Sequence, residues 1–356
     1  MKLNGVATRS LWFEEDGRSI GIFDQRRLPW AVEKIRISTA EQARNAIAEM
    51  ATRGAPLIGA AGACGLAMAL TDDSSDISLD SAWELLVNAR PTAVNLRWAL
   101  ERVRTLVAPL PPSERAVTAW KEARDICDED AAMNHAIGVA GLELIRKIAE
   151  RKNGNPVNIL THCNAGWLAT IDWGTATAPI YMAHDAGIPV HVWVDETRPR
   201  NQGALTAFEL GGHGVPNSYI ADNAGGLFMQ QGQVDMVIVG TDRVTANGDV
   251  CNKIGTCLKA LAAKAADIPF YVALPSSTYD VQTPDGAAVP IEERTQDEVR
   301  FLTGPDENGV MRRIALTTSP ARNPAFDITP ADLVTAYITD KGVLNGPREL
   351  HEALSA

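Results

Sequence analysis

Polar side chains directly follow four short apolar segments in the second half of the chain, in stretches that begin at Thr161, Asp195, Asp222 and Gly240. These stretches supply a thiol, carboxylates, guanidinium groups, amides and an ammonium group. In an open parallel sheet, ligands bind beyond the carboxyl ends of the strands. If the apolar segments are parallel strands, the polar groups converge on one edge of the sheet. The sequence therefore predicts a functional site at that edge.

Two residues of these stretches have side chains suited to acid–base chemistry. Cys163 follows His162, and neighbouring groups can tune the reactivity of a thiol. Asp242 can exchange a proton with a substrate if a closed pocket raises its pKa. The structural alternatives are a small buried thiol at Cys163 and a helix cap or an ion-pair partner of Arg243 at Asp242.

The first half of the chain contains two arginines in positions that suit a phosphate group. Arg53 precedes Gly54 and Ala55 at the junction of two predicted helices, where a guanidinium group and helix N-terminal amides favour an anion. Arg90 precedes another predicted helix, and either arginine could instead lie in a solvated turn. The sequence has no GxxxxGK[ST] motif, no GxGxxG motif after a strand and no HExxH motif. The usual signatures of nucleoside triphosphate, dinucleotide and metalloprotease sites are therefore missing.

The apolar patterns of the first half predict a small β-element followed by helices. Leu11–Phe13 and Ile20–Phe23 flank an Asp-Gly turn, as in a hairpin. Alternation over Ala31–Ile37 predicts a third strand, and Ser38 with Glu41 forms a capping-box pattern. Helices are predicted at Pro56–Leu70, Leu79–Ala89, Ala93–Val107 and Pro112–Arg151.

The pattern changes at the turn-rich stretch 152–156, after which short apolar runs alternate with helical segments, as in a doubly wound parallel sheet. Strands are predicted at Val157–Leu160, Pro189–Val194, Ser218–Ile220, Met236–Val239 and Phe270–Leu274. Helices are predicted at Thr175–Asp185, Ala204–Leu210, Gly225–Gln231 and Lys253–Ala266, with an irregular polar segment at Thr283–Asn308. We therefore expect an α/β protein with a mostly helical domain over residues 1–150, which begins with β-strands, and a parallel-sheet domain over residues 151–356.

Composition and charge limit the classes of protein and partner. The chain has 356 residues, 46% hydrophobic and 22% charged, as expected of a globular protein of about two domains. Its net charge of −11 disfavours binding to nucleic acid or to an anionic membrane surface. The most apolar stretch, Ala55–Leu70, is too short to span a bilayer and is predicted to be a buried helix. The five cysteines form no CxxC pair and the N-terminus lacks an apolar signal segment, so we expect a cytoplasmic protein.

The order of the motifs resembles that of the methylthioribose-1-phosphate isomerase family. These are aldose–ketose isomerases of methionine salvage that share a superfamily with regulatory subunits of the translation initiation exchange factor. The resemblance covers nearly the whole chain and implies a helical N-terminal domain, a Rossmann-like C-terminal domain without a dinucleotide, a homodimer, and no required cofactor or metal ion. The motifs that carry it are Thr52–Pro56, Arg90–Leu96, Thr161–Gly166, Asp195–Gly203, Ala221–Ala224, Gly240–Asn247, Asn252-Lys253 and Asn323–Asp327.

The resemblance also implies a reaction and a set of site residues. The reaction converts 5-methylthioribose 1-phosphate to 5-methylthioribulose 1-phosphate. Cys163 and Asp242 match the catalytic pair of the family. The residues that match its substrate-binding positions are Arg53, Gly54, Ala55, Arg90, Gln202, Asn252 and Lys253.

Some residues next to the predicted site depart from the common form of the family. Arg200–Leu205 is one residue shorter, and Trp167 and Trp173–Pro179 also differ. For this reason 5-deoxyribose 1-phosphate is a second candidate substrate. A non-catalytic regulatory subunit that senses phosphorylated ligands and a ribose-1,5-bisphosphate isomerase are the alternative functions. The presence of both Cys163 and Asp242 favours an enzyme, and no additional Arg/Lys cluster near the motifs is expected to supply a second phosphate site.

Overall fold

The computed structural model describes residues 1–90 and 94–355, and its first half consists of short strands followed by helices. The strands are β1 (Lys2–Leu3), β2 (Val6–Ala7), β3 (Leu11–Phe13), β4 (Ile20–Phe23) and β5 (Lys34–Ile37). The helices are α1 (Ala40–Ala48), α2 (Ala55–Asp72), α3 (Asp76–Val87), α4 (Val94–Val107) and α5 (Pro112–Ala149). Ala93, the predicted first residue of the fourth helix, lies outside the described residues.

The β-element has the predicted hairpin and third strand, with a small difference at the first helix. Strands β3, β4 and β5 form an antiparallel sheet in that order. The hydroxyl of Thr39, rather than that of Ser38, accepts a hydrogen bond from the Gln42 backbone N–H at 3.2 Å. The Gln42 side chain in turn accepts the Ser38 backbone N–H at 2.8 Å. The predicted pair of Ser38 and Glu41 is therefore wrong by one residue at both positions, because Thr39 and Gln42 make the capping interaction.

Helix α2 is the central helix of the N-terminal half. It packs against α1, α3, α4 and α5, the helices that surround it. By length and composition α2 could cross a membrane, but 72% of its residues are buried inside the protein. Small residues such as Gly62 and Ala63 let its neighbours approach closely, and the prediction of a buried helix here is confirmed.

The second half of the chain alternates strands and helices, as predicted. Its elements are β6 (Val157–Thr161), α6 (Ala178–Asp185), β7 (Val190–Asp195), α7 (Gln202–His213), β8 (Asn217–Ile220), α8 (Ala224–Gln230), β9 (Met236–Val239), β10 (Arg243–Thr245), β11 (Val250–Lys253), α9 (Thr256–Ala265), β12 (Phe270–Leu274), β13 (Tyr279–Asp280), α10 (Asp297–Arg300), β14 (Phe301–Pro305), β15 (Met311–Ala315), β16 (Phe326–Thr329), β17 (Ala336–Thr339), β18 (Gly342–Leu344) and α11 (Pro347–Leu354).

A seven-stranded sheet organises this half, in the order β18-β17-β12-β9-β6-β7-β8. All neighbouring strands are parallel except β17 and β18. The chain first builds β6, β7 and β8 outward in one direction and then returns to place β9 on the other side of β6. This reversal is the switch point at which open α/β sheets bind ligands. The α/β fold class predicted from the sequence is confirmed.

Helix α5 joins the two halves. Ala119 and Ile126, in its first half, belong to the core of the N-terminal helices. Ile137 and Ile145, in its second half, pack in the core beside the large sheet. The length of the helix is thus explained by its contribution to two cores.

Two predictions for the second half are wrong in detail. Lys253 does not begin a helix but ends β11, in a small sheet with the order β13-β10-β11-β16. Gly255, with φ of +104°, separates this strand from α9 because few other residues adopt that conformation. The segment Thr283–Asn308, predicted to be irregular, contains α10 and the start of the β14–β15 hairpin. Strand β15 is exposed throughout and β14 has no fully buried residue, so neither strand has the apolar pattern that predicts a buried strand.

Candidate active site

A cavity of about 460 Å³ is lined both by the N-terminal helices and by the loops that follow β6 and β9. It brings together every residue that the sequence assigns to the site. These are Arg53, Gly54, Ala55, Arg90, Cys163, Gln202, Asp242, Asn252 and Lys253.

Cys163 lies on the loop after β6 in a left-handed backbone conformation with φ of 68°. Such a conformation costs about 1–3 kcal/mol for a residue other than glycine. Two hydrogen bonds hold it: the Cys163 N–H donates to Thr197 Oγ1 at 2.9 Å, and Thr206 Oγ1 donates to the Cys163 carbonyl oxygen at 2.8 Å. The surrounding threonines therefore fix the position from which the thiol faces the cavity.

Asp242 follows β9, the strand next to β6, and its backbone N–H donates to the carbonyl oxygen of Cys251 at 3.1 Å. Burial raises the pKa of the Asp242 carboxyl, while the charges of Lys253 and Arg90 lower it. Burial also raises the pKa of the Cys163 thiol, Lys253 lowers it, and the charge of Asp242 raises it further. Both acids are thus biased toward their protonated forms, which suits groups that give and take protons.

Three cations line the cavity with this pair: Lys253, which is buried, and Arg53 and Arg90, which are partly buried. Burial lowers the pKa of Arg53 to about 10, and its Nη2 donates to Asn164 Oδ1 at 2.8 Å. Burial likewise lowers the pKa of Arg90 and of Lys253. The Lys253 ammonium donates to the carbonyl oxygen of Ala325 at 2.9 Å. A doubly charged phosphate would supply the negative charge that desolvated cations of this kind favour.

Gly54 and Ala55 place the N-terminus of α2 at the cavity. Ala55 is the first residue of the helix, so its free N-terminal amides border the site and favour an anion. Gly54 has φ of +100°, and a Cβ atom there would lie only 2.2 Å from the carbonyl oxygen of Ala169. Only glycine allows the helix to approach the loop beyond Cys163 this closely.

Gln202 and Asn252 supply amide groups from α7 and β11. Both are buried, and Asn252 Nδ2 donates to Thr256 Oγ1 at 3.0 Å. Within the part of the chain that the structure describes, Gln202 Oε1 is buried without a hydrogen-bond partner. A substrate hydroxyl could satisfy that oxygen, since buried polar atoms are rarely left unpaired.

The cavity wall also contains cations that the sequence did not assign to the site. Arg200 and Arg294 both pair with Glu298, at 2.9 and 2.7 Å, and Arg243 pairs with Asp280 at 3.3 Å. The expectation of no further Arg/Lys cluster near the motifs is therefore wrong. Arg200 could have been suspected from its place after β7, whereas Arg294 lies in a segment without a motif. Arg294 also lies 3.5 Å from Glu292, so three carboxylates are paired with these three arginines.

His162, Asp195 and Asp222 lie close enough together to hold a metal ion, but their ligand atoms have other partners. Lys259 Nζ lies 3.1 Å from Asp195 Oδ2. Both carboxylate oxygens of Asp222 accept backbone N–H groups at 2.8 Å. An ammonium group already occupies the place of a cation, so this cluster does not fit a metal site.

The two tryptophans that depart from the common family form belong to the core. Trp167 is fully buried and packs edge-on against Phe23, with the ring centroids 5.8 Å apart. Trp173 packs against His135 at 5.1 Å, and neither tryptophan lines the cavity. Apolar side chains do line the cavity: Met50, Ile58, Val94, Val289 and Phe326.

Comparison with known proteins identifies relatives along almost the entire chain. The profile described as "Initiation factor 2 subunit family" matches residues 51–346. The methylthioribose-1-phosphate isomerase of Gluconobacter oxydans is 61% identical over 348 residues, which cover 96% of this chain and 95% of that protein. The protein of the same name from Brucella anthropi is 57% identical and covers 99% of both chains.

Comparison with solved structures also finds similarity along almost the entire chain. The crystal structure of 5-methylthioribose 1-phosphate isomerase from Pyrococcus horikoshii OT3 superposes with a TM-score of 0.85 at 40% identity, covering 98% of this chain and 96% of that one. A structure named as translation initiation factor eIF-2B, subunit delta, from A. fulgidus superposes with a TM-score of 0.83 at 37% identity, covering 98% and 100%. The chain belongs to the initiation factor 2 subunit family and, within it, to the methylthioribose-1-phosphate isomerases.

Proposed function

We propose that this enzyme isomerises 5-methylthioribose 1-phosphate to 5-methylthioribulose 1-phosphate in methionine salvage, with Cys163 and Asp242 as its catalytic pair. The observation that supports the assignment of the pair is their placement on one cavity with three cations: Arg53, Arg90 and Lys253. A thiol and a carboxyl can move protons, and the cations can bind a phosphate. We also propose that the chain divides into two domains near residue 150. The cavity is lined by residues from both sides of that position, which supports the proposal.

The first chemical problem is to open the sugar ring. The phosphate on the anomeric oxygen prevents the spontaneous opening that a free sugar undergoes. Burial raises the pKa of the Asp242 carboxyl, which favours the protonated form that can give its proton to the ring oxygen as the ring bond breaks. The ring oxygen then becomes the hydroxyl group on C4.

The second problem is to move hydrogen from C2 to C1. In the proton route, the thiolate form of Cys163 takes the proton from C2 and returns it to C1, and the C2 hydroxyl gives its proton to the Asp242 carboxylate left by ring opening, so that a carbonyl forms at C2. In the hydride route, the hydrogen shifts with its electron pair from C2 to the electron-poor C1, the C2 hydroxyl gives its proton to the same carboxylate, and Cys163 steers that hydroxyl. Acid–base assistance of this kind contributes about 10²–10⁴-fold to the rate.

The side chains of Arg53, Arg90 and Lys253 would hold the phosphate and compensate the negative charge that develops on the sugar. Arg53 is oriented by Asn164, and Lys253 by the carbonyl oxygen of Ala325. Because these partners are fixed before the substrate binds, little reorganisation accompanies the reaction.

The proposed function is tested by turnover of 5-methylthioribose 1-phosphate beside 5-deoxyribose 1-phosphate. We expect rapid conversion of the methylthio sugar. Similar rates on both sugars would identify a broader isomerase, and no turnover of either by folded protein would favour a regulatory subunit. A run in deuterium oxide separates the two routes, since deuterium at C1 of the product indicates proton transfer and its absence indicates hydride transfer.

We also propose that the enzyme is a cytoplasmic homodimer. The support for the dimer is a second groove of about 840 Å³ with apolar side chains at its rim: Leu302 and Met311, and Trp30, which is 50% exposed. Exposed apolar patches of this size often lie at protein interfaces. Light scattering after gel filtration tests the dimer, because a mass near 38.2 kDa would indicate a monomer. Cell fractionation tests the compartment.

A further inference from the structure

We infer that His162 is a buried imidazolium that acts as a positioning residue, because it ties the Cys163 loop to the turn that carries Lys253. His162 directly precedes the thiol in the chain and lines the same cavity, while its ring nitrogens contact Asp195 at the end of β7 and the carbonyl oxygen of Ile254, just before α9. The assignment depends on which atoms the two ring nitrogens face.

The His162 ring is 1% exposed, so its nitrogens must find partners inside the protein. Nε2 lies 2.9 Å from the backbone carbonyl oxygen of Ile254. A carbonyl oxygen can only accept a hydrogen bond. Nε2 therefore carries a proton.

The other ring nitrogen faces a carboxylate. Nδ1 of His162 lies 3.0 Å from Asp195 Oδ2, and the ammonium group of Lys259 lies 3.1 Å from the same oxygen. An ammonium group at this distance stabilises the ionised form of the buried carboxyl. An ionised carboxylate can only accept, so Nδ1 also carries a proton. With both nitrogens protonated, the ring is positively charged.

The surrounding charges compensate such a cation. Asp222 Oδ1 lies 3.8 Å from His162 Nδ1. Burial raises the pKa of the Asp327 carboxyl on β16, and the nearby His162 opposes that rise. The cluster thus combines two cations, His162 and Lys259, with three carboxylates. A buried charge that is paired and hydrogen-bonded on both sides is stable, whereas an unpaired one is costly.

The position of the ring has a consequence for the active site. His162 is joined to Cys163 by the peptide bond between them. Its ring is hydrogen-bonded to the carbonyl oxygen of Ile254, the residue that follows Lys253. Gly255 allows the approach, because a Cβ atom there would lie 3.0 Å from the ring. The imidazolium therefore sets the separation between the proposed catalytic thiol and the ammonium group that faces it.

The charge of His162 can be measured without any assumption about the reaction. In protein labelled with ¹⁵N-histidine, the nitrogen chemical shifts distinguish protonated from unprotonated ring nitrogens. At pH 8, where an unperturbed imidazole is neutral, we expect both His162 nitrogens to be protonated. His191 is the internal control, since its ring bonds a serine hydroxyl, burial lowers its pKa, and it should be neutral. An unprotonated nitrogen on His162 at pH 8 would overturn the inference.

The H162Q variant assigns the signal and tests the positioning role, which rests on the proposed function. Its amide can replace one hydrogen bond but not the charge or the second bond. We expect kcat to fall about 10- to 100-fold, as small displacements of reacting groups do, with KM changed less than about threefold. H191Q, on β7 outside the cavity, is the matched control and should keep wild-type kinetics.

The nitrogen chemical shifts and the kinetics of H162Q can contradict the charge of His162, its positioning role and the proposed function independently of one another. A protonated ring with wild-type kcat in H162Q would overturn the positioning role and leave the proposed isomerase intact. Absence of activity in the wild type would overturn the proposed function. The charge of His162 would still be decided by the nitrogen chemical shifts, which do not depend on activity. If H162Q does not fold, D195N replaces it, and the His162 ring should then lose its second proton at pH 8. Retention of both protons in D195N would contradict the role of the carboxylate.

Discussion

Cys163 and Asp242 follow two strands that are direct neighbours in the sheet, β6 and β9, although 78 residues separate them in the chain. The strand order reverses between these two strands. At such a reversal the connections leave the sheet in opposite directions, and a crevice opens beyond the carboxyl ends of the two strands. The proposed catalytic pair therefore faces one cavity, together with the N-terminus of α2.

Loss of either member of the pair should abolish most of the activity. We expect C163A and D242N to lower kcat by about 10²–10⁴-fold, the usual contribution of a positioned acid or base, with smaller changes in KM. Steady-state assays with the methylthio sugar measure both constants. C257A is the matched control, since this cysteine lies on α9 and does not line the cavity. A kcat for C163A close to that of C257A would refute the role of the thiol.

Arg53 should contribute mainly to substrate affinity. Replacement of its guanidinium group in R53M removes a buried donor from the phosphate, and hydrogen bonds to charged groups are worth about 1.5–3 kcal/mol. We therefore expect KM to rise about 10- to 100-fold. R44M removes an exposed arginine of α1 and should have no effect. Isothermal titration with inorganic phosphate gives an independent measurement, and equal affinities for R53M and R44M would count against the assignment.

Glu209 should make the stability of the fold depend on pH. Its side chain is fully buried on α7 and accepts the Leu168 backbone N–H at 2.5 Å. Burial raises its pKa from 4.5 to about 8. The native state thus keeps a proton that the unfolded chain releases, so this group favours the native state below about pH 4.5, and its contribution is lost as pH rises toward 8.

The E209Q variant tests that dependence, because glutamine stays neutral and can still accept the Leu168 N–H. Relative to wild type, its free energy of unfolding should increase between pH 5 and pH 8, by about 3–4 kcal/mol. Urea unfolding at both pH values measures the difference. E84Q changes an exposed glutamate of α3 and is the control. A wild-type-minus-E209Q difference that is constant with pH would rule out the proton on Glu209.

Gly54 should be required for both stability and activity. G54A places a Cβ atom 2.2 Å from the Ala169 carbonyl oxygen at a residue with φ of +100°. G17A is matched in conformation, with φ of +69°, but meets no atom within 4 Å. We expect G17A to lose about 1 kcal/mol and G54A about 3 kcal/mol or more, together with most of its activity. Thermal unfolding and turnover of the two variants check this, and similar losses in both would show that the close approach is unimportant.

The sequence was sufficient to predict the α/β class, the five parallel strands from Val157 to Leu274 and nine of the residues that line the cavity. The segment Met236–Val239 is apolar throughout and buried on both faces. A continuous apolar run of this kind predicts a strand of a parallel sheet. Polar motifs directly after such strands then mark the site. The motifs around Cys163 and Asp242 also indicated the family that the relatives identify.

The tertiary structure was needed where a residue's role depends on distant neighbours. The cap at Thr39 and the strand at Lys253 differ from the predictions because local patterns do not reveal one-residue shifts or a left-handed turn at Gly255. The pairing of Arg294 with Glu298 comes from a segment without a motif.

The charge of His162 also depends on neighbours that are distant in the chain. Its two partners, Asp195 and Ile254, lie 33 and 92 residues away in the chain. Residue type and spacing indicate which groups could do chemistry, because those are local properties. Desolvation, charge compensation and the number of hydrogen-bond acceptors around a group depend on the packed chain, and only the folded structure decides them.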